Sequence, residues 1–401
     1  VRRPGPTLLL GLWLLLVAAG KAQAQPVDPC QPLERNLPGR TEATGCIFVP
    51  LERHEAHGAF IPIYFVHSIP DGPAYGRVLM YHGGPAVPTR GIPDQGPFFG
   101  ALARSMEILY FHQRGAGFSA RLEELPADHL RDDYSLDDSV DDALTLMDRF
   151  WPGVGDIVVF GKSAGGFLAL KTALRRPDRV RALVLLATAG DHRYMSQRDQ
   201  ARAEYEALME ARYPGFGELL NKARARFGRE GISGLPRGST WLDFEDIYLF
   251  KLAYTYQGQE RIPALLRAFV AGDEGPLREL VDSRTLPGFG RLGSRSAFLL
   301  AACRELGMEE VFPRDCAGIP PGPSRFDVLA DLRRISVPVL LLSGAFDPVV
   351  PPSRQRALAE ALGARVTHLW LPRASHLLLE DQPQEAAAAL LDFLGLCRPR
   401  D

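Results

Sequence analysis

The amino-acid sequence predicts an α/β fold: a mostly parallel sheet with helices on both faces, interrupted by a helical insertion. Three observations carry this reading. Near-continuous apolar runs alternate with helical patterns, as expected of strands buried on both faces. Between about residues 192 and 325 such runs give way to successive amphipathic helical stretches. Finally, Ile157-Val158-Val159-Phe160-Gly161-Lys162-Ser163-Ala164-Gly165-Gly166 drives an apolar strand into a glycine-flanked serine and straight on into the helical stretch Phe167 to Leu174.

The chain has 401 residues and a formal net charge of −2, enough length for a sizeable core and no electrostatic footprint of nucleic-acid binding. Arg2 and Arg3 precede the apolar run Leu8 to Ala19, and Ala22-Gln23-Ala24 follows a small-residue stretch. That order reads as a secretory signal peptide over residues 1–24 and implies export, to the periplasm or beyond the cell. The apolar run is short for a membrane span, so no stable insertion is expected after cleavage. Export permits disulfides. The simplest pairing of the five cysteines is Cys30 with Cys46 and Cys303 with Cys316, leaving Cys397 over, although spacing alone leaves other connectivities open. No cysteine pair has metal-ligand spacing with histidines nearby.

In order along the chain, residues 25–58 read as a leader with one extended stretch at Ile47 to Leu51. Phe60 to His67 reads as a strand ending in a turn at Pro70 to Pro73. Arg77 to Tyr81 is a short strand that runs into His82-Gly83-Gly84-Pro85-Ala86, where glycines can bring backbone amides against a ligand. Met106 to Phe111 ends at a second loop, His112 to Gly117, in which Arg114 is expected to position the loop rather than bind a carboxylate. Leu136 to Phe150 is helical by its apolar recurrence, with Asp137 and Asp138 at the end where the helix dipole favours carboxylates. The elbow follows, then the strand Val180 to Ala187.

The insertion, 192–325, carries helical stretches at Gln200 to Ala211, Phe216 to Phe227, Phe244 to Tyr256 and Ile262 to Ala271, and reads as a cap. It divides a catalytic domain formed by 25–191 and 326–401. The α/β pattern resumes with Val337 to Ser343, which leads to Gly344-Ala345-Phe346-Asp347-Pro348. Arg354 to Leu362 is the next helix, Thr367 to Leu371 the last strand, and Pro383 to Leu394 the terminal helix.

Ser163, Asp347 and His376 each occupy a loop after a predicted strand, where catalytic residues of such sheets collect. Their order along the chain is that of a serine hydrolase on this fold. His376 would take the proton of Ser163 and Asp347 would hold the imidazole in the required tautomer. His368 is a weaker candidate because it falls within a strand. The amides of Ala164 and of Gly84 or a neighbour would form the oxyanion hole. Lys162 is expected to point into solvent.

These residues carry a family resemblance. The sheet domain resembles the α/β-hydrolase fold. More narrowly, His82 to Ala86, the stretch Gln113-Arg114-Gly115 with Gly117 and Ser119, the elbow Gly161 to Gly166, and Gly344 to Pro348 with His376 are similar to motifs of the prolyl aminopeptidases, or proline iminopeptidases, and their secreted tripeptidyl-aminopeptidase relatives. The resemblance implies an acyl-enzyme peptidase that releases an N-terminal residue or short peptide, without metal or organic cofactor. It also implies cap carboxylates that pair with the substrate's free amine, with Glu245 first and Glu204 second as candidates. His112 replaces that family's usual Asp, Ala86 its last loop Gly, and Ala164 its bulky aromatic residue, which weakens proline selectivity. The alternative is an esterase or other amide hydrolase using the same triad on a small substrate. A silent binding protein is disfavoured by the intact triad, and related epoxide hydrolases and dehalogenases use an aspartate where this chain has Ser163.

Overall fold

The computed structural model describes residues 28–51, 53, 59–85, 87–88, 97–120, 135–153, 155–190, 198–282, 294–306, 316–317, 319 and 328–395. The expected signal segment, Ala86 of the glycine loop and Cys397 lie outside them.

Three antiparallel strands, β1 (Leu33–Leu37), β2 (Arg40–Pro50) and β3 (Phe60–Pro70), precede β4 (Arg77–Tyr81). Helix α1 (Pro97–Ser105) leads to β5 (Glu107–Phe111), and α2 (Leu136–Phe150) to β6 (Ile157–Lys162). After the elbow come α3 (Ala164–Arg175) and β7 (Val180–Leu186). Among the described residues the sheet has nine strands in the order β1-β2-β3-β5-β4-β6-β7-β8-β9, where β8 is Val339–Gly344 and β9 is Val366–Leu371. Every pairing from β5 through β4 to β9 is parallel.

The apolar runs fold this way because both faces of the central strands are covered. Leu79, Val159 and Leu341 enter one core cluster with α2 and α3. Their neighbours Val78, Phe160 and Leu342 enter the opposite one, with α1 and the terminal helix Pro383–Leu394. Successive side chains point to opposite faces, so a strand sandwiched between helices is apolar at every position.

The leader reading of residues 25–58 is corrected. It contains β1 and β2, which extend the sheet by two antiparallel strands, the expected extended stretch at Ile47 to Leu51 covering the end of β2, and Cys30 is joined to Cys46 on β2. The alternation was masked because the inward positions of β2 include Arg40, Glu42 and Gly45 rather than apolar residues; Arg40 and Glu42 form a buried ion pair at 3.1 Å. The second disulfide joins Cys303 and Cys316.

Between β7 and β8 lies the helical insertion: α4 (Arg198–Arg212), α5 (Phe216–Glu230), a segmented stretch from Trp241 to Leu252, α6 (Tyr256–Val270), α7 (Gly275–Asp282) and α8 (Arg295–Arg304). Helices α4 to α7 pack around a core of their own, with Leu220, Phe244, Leu266 and Phe269. The single helix expected over Phe244 to Tyr256 is instead broken. A π turn, Glu245–Leu249, interrupts it, and a new helix starts at Tyr256, where the Thr255 hydroxyl accepts the amide of Gly258 at 3.0 Å. This helix, α6, begins ahead of the stretch expected from Ile262 to Ala271 and holds Pro263 in its interior. Among the described residues no helix is long and apolar enough to cross a membrane.

Candidate active site

Ser163 has φ 52° and ψ −125°, one of two non-glycine residues with positive φ among those described. A serine there is strained, and the strain is held by the packing around it. Ser163 N–H donates to Leu186 O of β7 at 2.8 Å, and the Thr188 hydroxyl donates to Ser163 O at 2.8 Å. A Cβ at Gly161 would lie 2.3 Å from Gly165 O, and one at Gly165 would lie 2.5 Å from His82 O. The glycines of the motif therefore let β6, α3 and the end of β4 close on one another. The Ser163 side chain makes no capping bond to its own helix, so the hydroxyl is not committed there.

The glycine loop passes directly against this turn. A Cβ at Gly83 would stand 3.2 Å from Ser163 Cβ, and Gly84 has φ +46°. Ala164 opens α3, where N–H groups have no intrahelical acceptor. Of the two predicted oxyanion positions, Ala164 follows the serine directly and Gly84 is the neighbour of Gly83, the residue that packs against it. His82 at the root of the loop is buried, and burial pushes its pKa down to about 4, against a smaller opposing effect of its bond to Gly83 O. As a neutral ring it donates from Nδ1 to Gly83 O at 3.1 Å and accepts Gln113 N–H on Nε2 at 3.3 Å. The neighbouring loop is equally fixed. Arg114 positions the loop as expected, but it does so by binding a carboxylate: it donates to Asp142 through two bonds of 2.8 Å and to Leu51 O at 3.0 Å. His112, buried, accepts Phe118 N–H on Nδ1 at 2.9 Å.

Asp347 and His376 meet at the end of β8 and beyond β9. His376 Nδ1 lies 3.0 Å from Asp347 Oδ2 and 3.2 Å from Oδ1, with both residues buried. Oδ1 also accepts the amides of Val349 at 2.8 Å and Val350 at 2.9 Å. The two loops touch so closely that a Cβ at Gly344 would lie 2.2 Å from Ser375 O. His368, on the edge strand β9, is not part of this pair; its Nε2 lies 2.8 Å from the Ser343 hydroxyl of β8.

The remaining predicted residues are engaged elsewhere. The Glu204 carboxylate accepts Ser353 N–H at 2.9 Å, and also the Ser353 hydroxyl, at the start of the helix Pro352–Leu362. Glu245 accepts from Arg224 at 3.2 Å and Trp241 Nε1 at 3.1 Å, with Arg202 at 3.7 Å. Neither carboxylate stands unpaired in wait for an ammonium. Lys162 is corrected too: it is half-buried rather than solvent-directed. Burial holds its ammonium below the ordinary lysine range, against the opposing pull of Glu380, Asp347 and Asp381.

Sequence reasoning missed the residues that the insertion brings to the histidine. The Tyr254 ring meets His376 edge-on at 5.5 Å between centroids, and Tyr254 O accepts Leu377 N–H at 2.9 Å. Asp381 accepts the amides of Ser375 at 2.8 Å and Tyr256 at 2.9 Å. Gln259, fully buried, reaches both triad loops. The interruption of the helical pattern at Thr255 to Gly258 was the available signal. Among the described residues no group of three His, Cys, Asp or Glu side chains has a metal-binding arrangement.

Comparison with known proteins agrees with the architecture. Residues 76–228 match the family described as alpha/beta hydrolase fold, and residues 308–394 match the one described as TAP-like protein. A 2-hydroxymuconate semialdehyde hydrolase of Pseudomonas putida is 36% identical over 119 residues, 30% of this chain and 38% of that protein, so the match spans well under half of that relative. Rhodomycin D methylesterase DauP of a Streptomyces species is 29% identical over 316 residues, 76% of this chain and 88% of that protein. Among solved structures, proline iminopeptidase of Mycobacterium smegmatis superposes with a TM-score of 0.52 at 18% identity, covering 88% of this chain and 98% of that one, a likeness of fold. With its mostly parallel sheet, its elbow after β6 and its helical insertion before β8, the chain has the α/β-hydrolase fold.

Proposed function

We propose that the chain is a serine hydrolase that cleaves small esters through an acyl-enzyme, with Ser163 as nucleophile, His376 as general base and acid, and Asp347 as the group that orients the imidazole. The observation that carries this reading is the strained Ser163 at the tip of the elbow, on the same sheet edge as the buried His376–Asp347 pair. Asp347 accepts the Nδ1 proton, which leaves Nε2 of His376 to receive the proton of Ser163 as Oγ attacks the ester carbonyl. The oxyanion so formed takes the amides of Ala164 and the Gly84 loop. His376 then returns the proton to the departing alkoxide, and water repeats the sequence on the acyl-enzyme, releasing the acid and restoring Ser163.

An ester substrate is favoured over a peptide because cleavage of an ester needs no partner for a buried ammonium, and Glu204 and Glu245 are both engaged. The methylesterase among the relatives points the same way. A second reading, an exopeptidase releasing an N-terminal residue or short peptide, is favoured by one specific observation: the His82-Gly83-Gly84-Pro85 loop and the Gln113-Arg114-Gly115 stretch are similar to those of prolyl aminopeptidases.

The test is a panel of chromogenic short-chain acyl esters, free-amine prolyl and tripeptidyl amides, and their N-acetylated counterparts, run on the purified protein beside Ser163→Ala. Serine-dependent turnover of esters with or without N-acetylated amides is the expected result. Turnover confined to free-amine amides would replace the esterase with the exopeptidase, and turnover that survives Ser163→Ala would end both readings.

A further inference from the structure

Gln259 belongs to the insertion, yet its side chain ends between the two loops that carry the acid and the base. Its Nε2 donates to Phe346 O, the carbonyl preceding Asp347, at 2.7 Å and to the Ser375 hydroxyl, one residue before His376, at 3.0 Å. Ala253 O lies 2.9 Å from the same nitrogen, and the Ser375 hydroxyl has Ala253 O at 2.6 Å and Phe346 O at 3.1 Å as acceptors, so Gln259 reinforces a junction that the backbone bond from Phe346 N–H to Ala374 O at 3.1 Å begins. Two carbonyls cannot face an amide oxygen, so these acceptors fix which way the amide points. Gln259 and Ser375 are fully buried, and Gln259 Oε1 has no partner among the described residues. An apolar side chain would avoid that orphaned acceptor but would leave the Phe346 carbonyl without this donor, so the amide is retained at a local cost.

Three further contacts bind the same segment to the same loops. They are Tyr254 O with Leu377 N–H, Tyr256 N–H with Asp381, and Arg212, whose guanidinium lies 3.7 Å over the Tyr256 ring and 5.0 Å from that of Phe346. The seam therefore spans both sides of the Asp347–His376 pair.

We propose that Gln259 is a positioning residue for catalysis: by clamping Phe346 to Ser375 it sets the separation of Asp347 and His376, so the insertion forms part of the catalytic apparatus rather than a detachable cover. The inference rests on the serine-hydrolase reading above. Loosening the clamp lets the dyad drift from the geometry that the proton transfer needs, and a misplacement of about 1 Å costs on the order of 100-fold in rate. Substrate binding, made by other surfaces, is left in place.

The experiment uses the full chain as wild type, Gln259→Met, which keeps the length and removes the N–H donors, Ser375→Ala, which removes the bridge from its other end, and the double variant. Steady-state ester hydrolysis is measured together with the rate of covalent labelling by a fluorophosphonate, in which Ser163 Oγ bonds to phosphorus and fluoride departs. Each single variant is expected to lower kcat and the labelling rate by about 10- to 100-fold with KM within about twofold, and the double variant to fall no further than the lower single. If Gln259→Met does not fold, Ser375→Ala carries the same expectation. A lowered melting temperature with unchanged kcat and labelling rate would make Gln259 purely structural and overturn the proposal. Ser163→Ala separates the two levels: activity and labelling that persist in it would sink the hydrolase reading itself, whereas serine-dependent activity indifferent to the bridge would sink only the inference.

Discussion

Asp347→Asn tests the acid–base half of the site most sharply, because the structure dictates how the amide must sit. Two backbone donors, Val349 N–H at 2.8 Å and Val350 N–H at 2.9 Å, converge on Oδ1. An asparagine has one acceptor, and these fixed amides claim it. Its NH2 group must then replace Oδ2 and face His376 Nδ1, which lies 3.0 Å away in the native protein. Facing a donor, the imidazole accepts on Nδ1 and carries its proton on Nε2, the nitrogen needed to deprotonate Ser163. The ground state is thus locked in the wrong tautomer while the shape of the site is kept. A loss of about 10⁴-fold in kcat is expected, equivalent to about 5 kcal/mol of transition-state stabilisation. Initial rates on a short-chain p-nitrophenyl ester give the magnitude, and thermal unfolding establishes that the variant is folded. A folded Asp347→Asn protein within about tenfold of wild type would refute the assignment of Asp347 as the orienting group.

Other perturbations follow from the same contacts. His82 has a folded pKa of about 4 against an ordinary 6.5, so the folded protein binds fewer protons than the unfolded chain between those values; the contribution is present above pH 6.5 and lost as pH falls toward 4. It amounts to about 3 kcal/mol, and His82→Gln is expected to flatten the fall of melting temperature over that window, an unchanged slope ruling it out. Gly165→Ala would set a methyl carbon 2.5 Å from His82 O and 2.8 Å from Tyr81 O, both backbone, so α3 must retreat from the oxyanion loop; kcat should drop at least about 100-fold, and unaltered kinetics would contradict the close packing. Asp142→Ala removes the two 2.8 Å bonds from the buried Arg114 guanidinium, with the Asp138 carboxylate at 3.8 Å remaining, and is expected to cost about 3 kcal/mol in denaturant unfolding, a loss under about 1 kcal/mol being the contrary result. Replacing Cys30 and Cys46 by serine opens a crosslink with a sequence separation of 16 and should lower stability by about 3 kcal/mol, read in the same unfolding assay.

The parts of the fold legible in the sequence are those where one physical rule acts alone. β4, β6 and β8 carry runs of consecutive apolar residues because both faces are covered, and the Ser163 elbow, Asp347 and His376 follow strands whose ends were readable. β1 and the first half of β2 were missed, although the end of β2 was read as the extended stretch Ile47 to Leu51, because an edge hairpin can turn an ion pair inward: Arg40 and Glu42 satisfy each other, so burial there leaves no apolar period. Glu204 and Glu245 illustrate a different limit. Their residue type suits ammonium binding, but which partner a carboxylate finds depends on tertiary neighbours such as Ser353 and Arg224, far from each in sequence. Lys162 followed the same rule, its surroundings being set by Asp347, Glu380 and Asp381.

The two halves of the site are held by different parts of the molecule, and this has a chemical consequence. The nucleophile half is built by the sheet: Leu186 O and Thr188 hold Ser163 by its backbone, and the glycines let β4 and α3 close around it. The acid–base half is built jointly with the insertion, through Gln259, Tyr254 and the Tyr256–Asp381 bond. Strain at Ser163 can be sustained by a rigid sheet edge alone, since the cost of the unusual dihedral is met by ordinary ladder bonds. The separation of imidazole and carboxylate has a shorter backbone link, Ala345 N–H to Leu371 O and Phe346 N–H to Ala374 O at 3.1 Å each, beyond which Gln259 and Ser375 join the two loops through side chains. Sequence changes in the insertion around residues 253–259 should therefore change turnover before they change the nucleophile's geometry, and changes around 161–166 should act in the reverse order.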